Sequence, residues 1–187
     1  MKEELIMTKE ENKKLIERYP FLLPRNVWTD KVPEGYDYSY IRGIGEIPKG
    51  WERLFLQMCE DIRQPLIDAN YLEDFRFSQI KEKYNIMKCY HVGGPNEVWD
   101  IISKYEHMAR YVCTCCGKPA TCETQEYLAS FCDDCCKDFV RHEQIEWIEF
   151  KPYYREAGFA YGEHYEKIVS FEDEWNRYLK ENGYDTV

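Results

Sequence analysis

Apolar positions follow two different rhythms along this chain. Trp51, Leu54, Phe55, Met58, Ile62 and Leu66 recur at i, i+3, i+4 and i+7 spacing, which predicts an amphipathic helix that Pro65 kinks or ends. The rhythm then shortens. Phe75, Phe77 and Gln79 alternate with Arg76, Ser78 and Ile80, and residues 86–92 (IMKCYHV) form a second strand-like run, with residues 82–85 free to turn between them. Gly93-Gly94-Pro95-Asn96 breaks the second strand and opens a helix with Val98, Ile101, Ile102, Tyr105 and Met108 on one face. Residues 50–110 are therefore expected to form a helix, hairpin, helix core of α+β class.

The flanks are less regular. Thr8 followed by Glu11 has the form of a capping box, and Leu15, Ile16 and Tyr19 continue a short helix that Pro20 and Pro24 stop. From Phe21 to Gly50 the chain is rich in Pro, Gly and Tyr without sustained periodicity. Residues 1–49 are thus expected to hold that helix and an irregular segment pinned by Trp28, Tyr36, Tyr38 and Tyr40, rings that serve equally as an exposed contact surface. In residues 143–187, Ile145, Trp147 and Glu149 alternate with Glu146, Ile148 and Phe150 as a strand. Residues 165–170 are expected to pair with it across a turn at Gly158–Gly162. Residues 171–180 read as a closing helix with Trp175, Tyr178 and Leu179 inward.

Between these parts lies the clearest chemical signal. Cys113-x-x-Cys116 and Cys132-x-x-Cys135 are separated by fifteen residues, the two-knuckle spacing of ribbon and treble-clef zinc sites. Each CxxC turn puts two thiolates on one side of a tight loop, and a short hairpin between the turns brings four sulfurs around one tetrahedral ion. Gly117-Lys118-Pro119 suits the first turn, because glycine accepts the positive φ needed just past a knuckle. Residues 111–142 are read as this four-cysteine zinc knuckle, with a short helix running from the second CxxC through Asp138–Arg141. Cys115, Cys122 and Cys136 are bystanders, since choosing Cys115 or Cys136 breaks the x-x spacing. Four thiolates leave no open position, so the expected cofactor is a structural Zn2+.

The formal net charge is −10, and residues 138–187 hold twice as many acidic as basic side chains. Lys and Arg supply most of the affinity for duplex nucleic acid, so the overall balance favours a basic protein partner. Aromatics crowd the same acidic stretch, and Trp147, Tyr153, Tyr154 and Trp175 are the candidate partner-binding anchors. Gly43-Ile44-Gly45 lacks the third glycine and preceding strand of a phosphate loop, and the four histidines fall in no metal pattern. Nothing in the sequence singles out a catalytic group. No secretory signal pattern and no run long enough to cross a bilayer is present, so a cytoplasmic location is expected.

The stretch from Gln79 to Tyr90 (QIKEKYNIMKCY), residues 102–106 (ISKYE), Cys113–Ala120 and residues 131–135 (FCDDC) resemble a group of small bacteriophage- and prophage-encoded zinc proteins. In that group a QIKEK(F/Y)GxLRxY hairpin precedes a helix and a two-knuckle site. The resemblance spans residues 50–140 and implies a mobile-element origin in a bacterial host, with the same four zinc cysteines. Asn85 stands where the group has a turn glycine, Cys89 where it has an aromatic, and Tyr127 where it has tryptophan. The function expected from charge and resemblance together is non-enzymatic: binding and inhibition of a basic host protein, such as a CRISPR effector nuclease. The alternatives are a nucleic-acid-binding accessory protein using Arg76, Lys81, Lys83 and Lys88, and an enzyme with its pocket under residues 21–50.

Overall fold

Helix α2 (Glu52–Asp68) is the element around which the rest is arranged. Its Leu54, Phe55, Met58, Cys59, Ile62 and Leu66 are fully buried, as the 3.6-residue period demands. Pro65 does not end it; the helix runs on to Asp68 before Ala69 closes it. The structure is a computed structural model and describes residues 7–124, 128–139, 146–147, 153–160 and 163–186.

One face of α2 is covered by an antiparallel hairpin, β1 (Arg76–Lys83) and β2 (Ile86–Val92). The predicted alternation fails at one point. The register shifts between Phe77 and Gln79, so the extra residue turns Ile80 inward and leaves Gln79 on the solvent face. The turn itself is two residues long, with Tyr84 at φ 53° and Asn85 at φ 61°, the left-handed pair that matches the twist of a tight hairpin. Phe75 and Phe77 meet Phe21 at centroid distances of 5.5 and 5.7 Å, and Phe77 meets Phe55 at 5.7 Å.

Helix α3 (Asn96–Met108) starts after Pro95 and buries Val98, Ile102, Tyr105 and Met108. It also buries Glu106. That carboxylate accepts 2.8 Å from the Cys89 amide on the free edge of β2 and 2.6 Å from Lys88 Nζ, so α3 closes the sheet edge by a side chain. Helix α5 (Glu172–Glu181) completes the core with Trp175, Tyr178 and Leu179, and Arg177 reaches Asp61 and the Tyr105 hydroxyl at 2.5 and 2.8 Å. The Tyr105 hydroxyl donates to Asp61 at 2.6 Å, tying α2, α3 and α5 into one polar junction.

The N-terminal helix α1 (Lys9–Arg18) has the capping box foreseen, with Thr8 N donating to Glu11 at 2.8 Å and Glu11 N to Thr8 Oγ1 at 3.2 Å. Residues 21–50 are irregular apart from short single turns at Pro20–Leu22 and Lys49–Trp51, but their anchors differ from those expected. Phe21, Leu22, Ile41 and Ile47 enter the core, whereas Trp28 is 92% exposed and Tyr36, Tyr38 and Tyr40 pack on one another. The purely hydrocarbon side chains, with no polar atom to satisfy, take the buried places.

Towards the C-terminus, β3 (Cys122–Glu123) pairs with both β4 (Ser130–Phe131) and β5 (Glu146–Trp147), and β4 leads into helix α4 (Asp133–Phe139). A separate hairpin joins β6 (Tyr153–Ala160) to β7 (Glu163–Ser170). The expected pairing of residues 165–170 with the strand around Trp147 is thus corrected: β6 lies directly before β7 and takes that place, while Trp147 lies opposite Cys122. A two-residue connection favours the sequence neighbour over a more distant strand. Gly158 accordingly sits within β6. Tyr127, Arg141 and the rest of the strand expected over 145–150 lie outside the described residues. No helix among the described residues is long and apolar enough to cross a membrane.

Candidate metal centre

Backbone hydrogen bonds close the first knuckle. Cys113 N donates to Lys118 O at 2.8 Å and Gly117 N to Cys113 O at 3.0 Å, and Gly117 takes φ 77° at the point where the loop reverses. The β3–β4 ladder then returns the chain so that Cys132 precedes the first turn of α4 and Cys135 lies within it. Cys136 N closes that turn on Cys132 O at 2.8 Å. The four sulfurs of Cys113, Cys116, Cys132 and Cys135 all lie within 4.8 Å of one another, and Cys116 Sγ is 3.6 Å from Cys132 Sγ. Four thiolates about 2.3 Å from a tetrahedral ion stand roughly 3.8 Å apart, so the cluster has the dimensions of a metal site.

Electrostatics point the same way. Burial pushes the Cys116 thiol up to about 11, with the Cys113 sulfur adding to the cost of charge there, and burial likewise raises Cys135, helped by Cys116 and Cys113. Burial opposes ionisation of Cys113 too, but the backbone amides of Cys132, Cys116 and Cys115 outweigh it and hold that thiol below its ordinary value. Thiols crowded in this way ionise together only around a cation. Cys115 is exposed, and Cys122 donates to Phe131 O at 3.4 Å.

The centre is seated on α2 through two glycines. Gly50 N donates to Thr114 O at 2.9 Å, and a Cβ on Gly50 would lie 1.9 Å from Cys113 O. A Cβ on Gly117 would lie 2.9 Å from Gly50 O. Around this seam, Trp51 Nε1 donates to Val112 O at 3.0 Å and the Tyr178 hydroxyl to Gly117 O at 2.7 Å. None of these contacts is visible as a motif; only the glycine at position 50, just before a helix, hints at a close approach.

The aromatic anchors expected for a partner divide. Tyr154 and Trp175 are 4% and 2% exposed and are core residues, which corrects their reading as partner contacts and agrees with Trp175 facing inward on the closing helix. Tyr154 stacks on His107 at 4.6 Å and its hydroxyl donates to Asp100 O at 3.3 Å; Trp175 stacks on Tyr178 at 5.8 Å. Burying the large apolar body of each ring in the core is favourable in itself. Tyr153 is exposed, and Trp147 is placed in β5.

A cleft of about 740 Å³ lies between α3 and the β6–β7 hairpin, lined in part by Asp100, Glu106, His107, Glu156 and Lys167. It gathers the titratable groups that an enzyme reading asks for, yet two of them are committed to the fold. Glu106, its carboxyl raised by burial against the pull of Lys88 and Cys89 N, holds the β2 edge, and His107 is pressed against Tyr154. Burial, followed by Lys88 and Arg110, lowers His107 to about 4 and keeps it neutral. Comparison with protein families, with curated proteins and with solved structures found no match.

Proposed function

We propose that the chain is a zinc-stapled, non-enzymatic binding protein that docks on a basic host protein and inhibits it, with Trp28 as its anchor. The observation that carries this reading is the contrast between the ring and its loop. Trp28 is 92% exposed, but Asn26 Oδ1 accepts from the amides of Trp28 and Thr29 at 2.9 and 3.0 Å, and Asp30 N donates to Asn26 O at 2.8 Å. Arg25 bonds Asp30 O at 3.0 Å and Arg76 ion-pairs with the Asp30 carboxylate at 2.9 Å, which braces the loop on β1. A large ring held on a pre-ordered loop loses little freedom on docking, the property of binding hot spots.

Zinc is the ion that four thiolates at this spacing select, and its role is structural because the sulfurs fill the shell. The order of knuckle, hairpin and helix supports a treble-clef arrangement over a ribbon. The net charge of −10 supports a basic partner, and the resemblance to phage-encoded proteins supports a bacterial host, with a CRISPR effector nuclease as the candidate target class and the cytoplasm as the place of action. The test is an affinity capture from nuclease-treated bacterial lysate with zinc-loaded wild type and Trp28→Ala in parallel. A protein retained by the wild type and reduced tenfold or more by the variant supports the reading. Equal capture by a variant whose stability is unchanged within about 0.5 kcal/mol refutes it.

A further inference from the structure

Beyond that docking role, the β1–β2 hairpin carries a surface that its acidic chain does not predict. Lys81 lies directly opposite Lys88 in the ladder, Lys83 opposite Ile86, Gln79 opposite Tyr90 and Arg76 opposite Val92, so these side chains share the face turned away from α2. Lys81 thus faces a like charge across the ladder, an unfavourable pairing that Glu106 offsets on the Lys88 side alone. Lys88 and Arg76 are held in place by Glu106 and Asp30, at 2.6 and 2.9 Å. Lys81 and Lys83 have no carboxylate partner among the described residues. Each sets its ammonium beside an exposed ring instead: Lys81 Nζ lies 5.2 Å from the Tyr90 centroid and Lys83 Nζ 5.7 Å from that of Tyr84, which is 73% exposed at the hairpin tip.

We infer that this face binds single-stranded nucleic acid, the lysines taking phosphates and Tyr84 and Tyr90 taking bases by stacking. Alternating cations and aromatic faces on a solvent-facing sheet is the arrangement that tracks a single strand, whose bases are free to leave one another and stack on protein rings. A duplex keeps its bases stacked inside and presents phosphates on both sides, which the acidic remainder of a chain of net charge −10 repels. The occupant therefore follows from the rings as much as from the charge. An acidic protein segment would use the lysines and leave both tyrosines without a role.

The experiment is fluorescence anisotropy of the zinc-loaded full chain with short labelled deoxythymidine and adenosine-ribonucleotide oligomers and with a duplex of equal length. The expected result is binding of the single strands, with log Kd rising against log salt with a slope of about 1.4, as two phosphate contacts require. The double variant Lys81→Gln/Lys83→Gln should weaken binding tenfold or more, and Lys81→Arg/Lys83→Arg should restore it. Tyr84→Ala, at an exposed turn position, should weaken single strands while leaving the salt slope unchanged. Lys180→Gln, at an exposed position of α5 distant in sequence from the hairpin, should leave affinity as it is. The inference is overturned by absence of single-strand binding at low salt, by duplex binding of equal strength, or by a Lys81→Gln/Lys83→Gln variant that binds like wild type. Trp28→Ala should not change this affinity, so loss of the host-protein reading and loss of this one register in separate assays.

Discussion

The side-chain amide of Asn85, at the tip of the β1–β2 hairpin, donates to Ser130 Oγ in β4 at 2.6 Å. A second bond from the same nitrogen reaches Glu123 in β3 at 2.6 Å, and Ser130 Oγ in turn donates to Arg110 O. Asn85 is thus both the left-handed corner of one hairpin and the bolt that fastens it to the cysteine-bearing β3–β4 hairpin. The two roles separate by substitution. Asn85→Gly keeps the corner and loses the bolt, and should cost about 1–3 kcal/mol, since Ser130 and Glu123 lose a buried donor. Asn85→Ala should cost about 1 kcal/mol more, for the positive φ. Urea unfolding of both variants measures the difference, and equal stabilities would show that the bolt carries everything.

Gly50 makes a sharper demand. A methyl group there meets only backbone of the first knuckle, the nearest atom at 1.9 Å, so no side chain can swing aside. Gly50→Ala should destabilise by about 3 kcal/mol and speed zinc loss to a chelator. Gly35→Ala, with nothing within 4 Å but φ 74°, should cost about 1 kcal/mol and leave metal release unchanged.

The metal assignment distinguishes ligands from bystanders. Cys113→Ser, Cys116→Ser, Cys132→Ser or Cys135→Ser should abolish the single zinc per chain expected from the cluster, whereas Cys115→Ser and Cys136→Ser should retain it. Zinc binding supplies on the order of 10 kcal/mol in small zinc domains, so chelation should also disturb the seam at Trp51 and change tryptophan emission. Metal content by mass spectrometry of the native protein decides each case.

His107 should make the fold acid-sensitive. Burial, then the nearby Lys88 and Arg110, lowers it from 6.5 to about 4, so between those values the unfolded chain binds a proton that the folded chain does not. Stability is therefore lost as pH falls through this window, by about 1–3 kcal/mol once screening of a half-buried ring is allowed for. His107→Gln should flatten this part of the profile. Comparing variant and wild type at saturating zinc cancels the contribution of the thiolates, and an unchanged profile would place the proton elsewhere.

Features written in local chemistry were legible beforehand. Thr8 and Glu11 announce the first helix because a capping box is complete within four residues, and the α2 and α3 faces follow from a period that burial enforces. The four cysteines stand out because two tight turns fix their spacing. Features that depend on distant partners were not. Glu106 looks like a solvated helical acid until β2 presents a free amide to it, and Asn85 looks like a weaker turn residue until Ser130 arrives. Tyr154 and Trp175 show the same limit from the other side, since an aromatic ring with a polar handle suits a surface as well as a core.

The hydrogen bond from Tyr178 to Gly117 O joins residues 61 positions apart, and it has a bearing on how the chain is made. During synthesis all four cysteines emerge well before α5, so the metal can be captured while the helix that seats the knuckle is still inside the ribosome. Until Tyr178 appears, the knuckle has only the Gly50 side of its seat. A metal held by the cluster would thus be captured first and docked last, with the final helix acting as the latch.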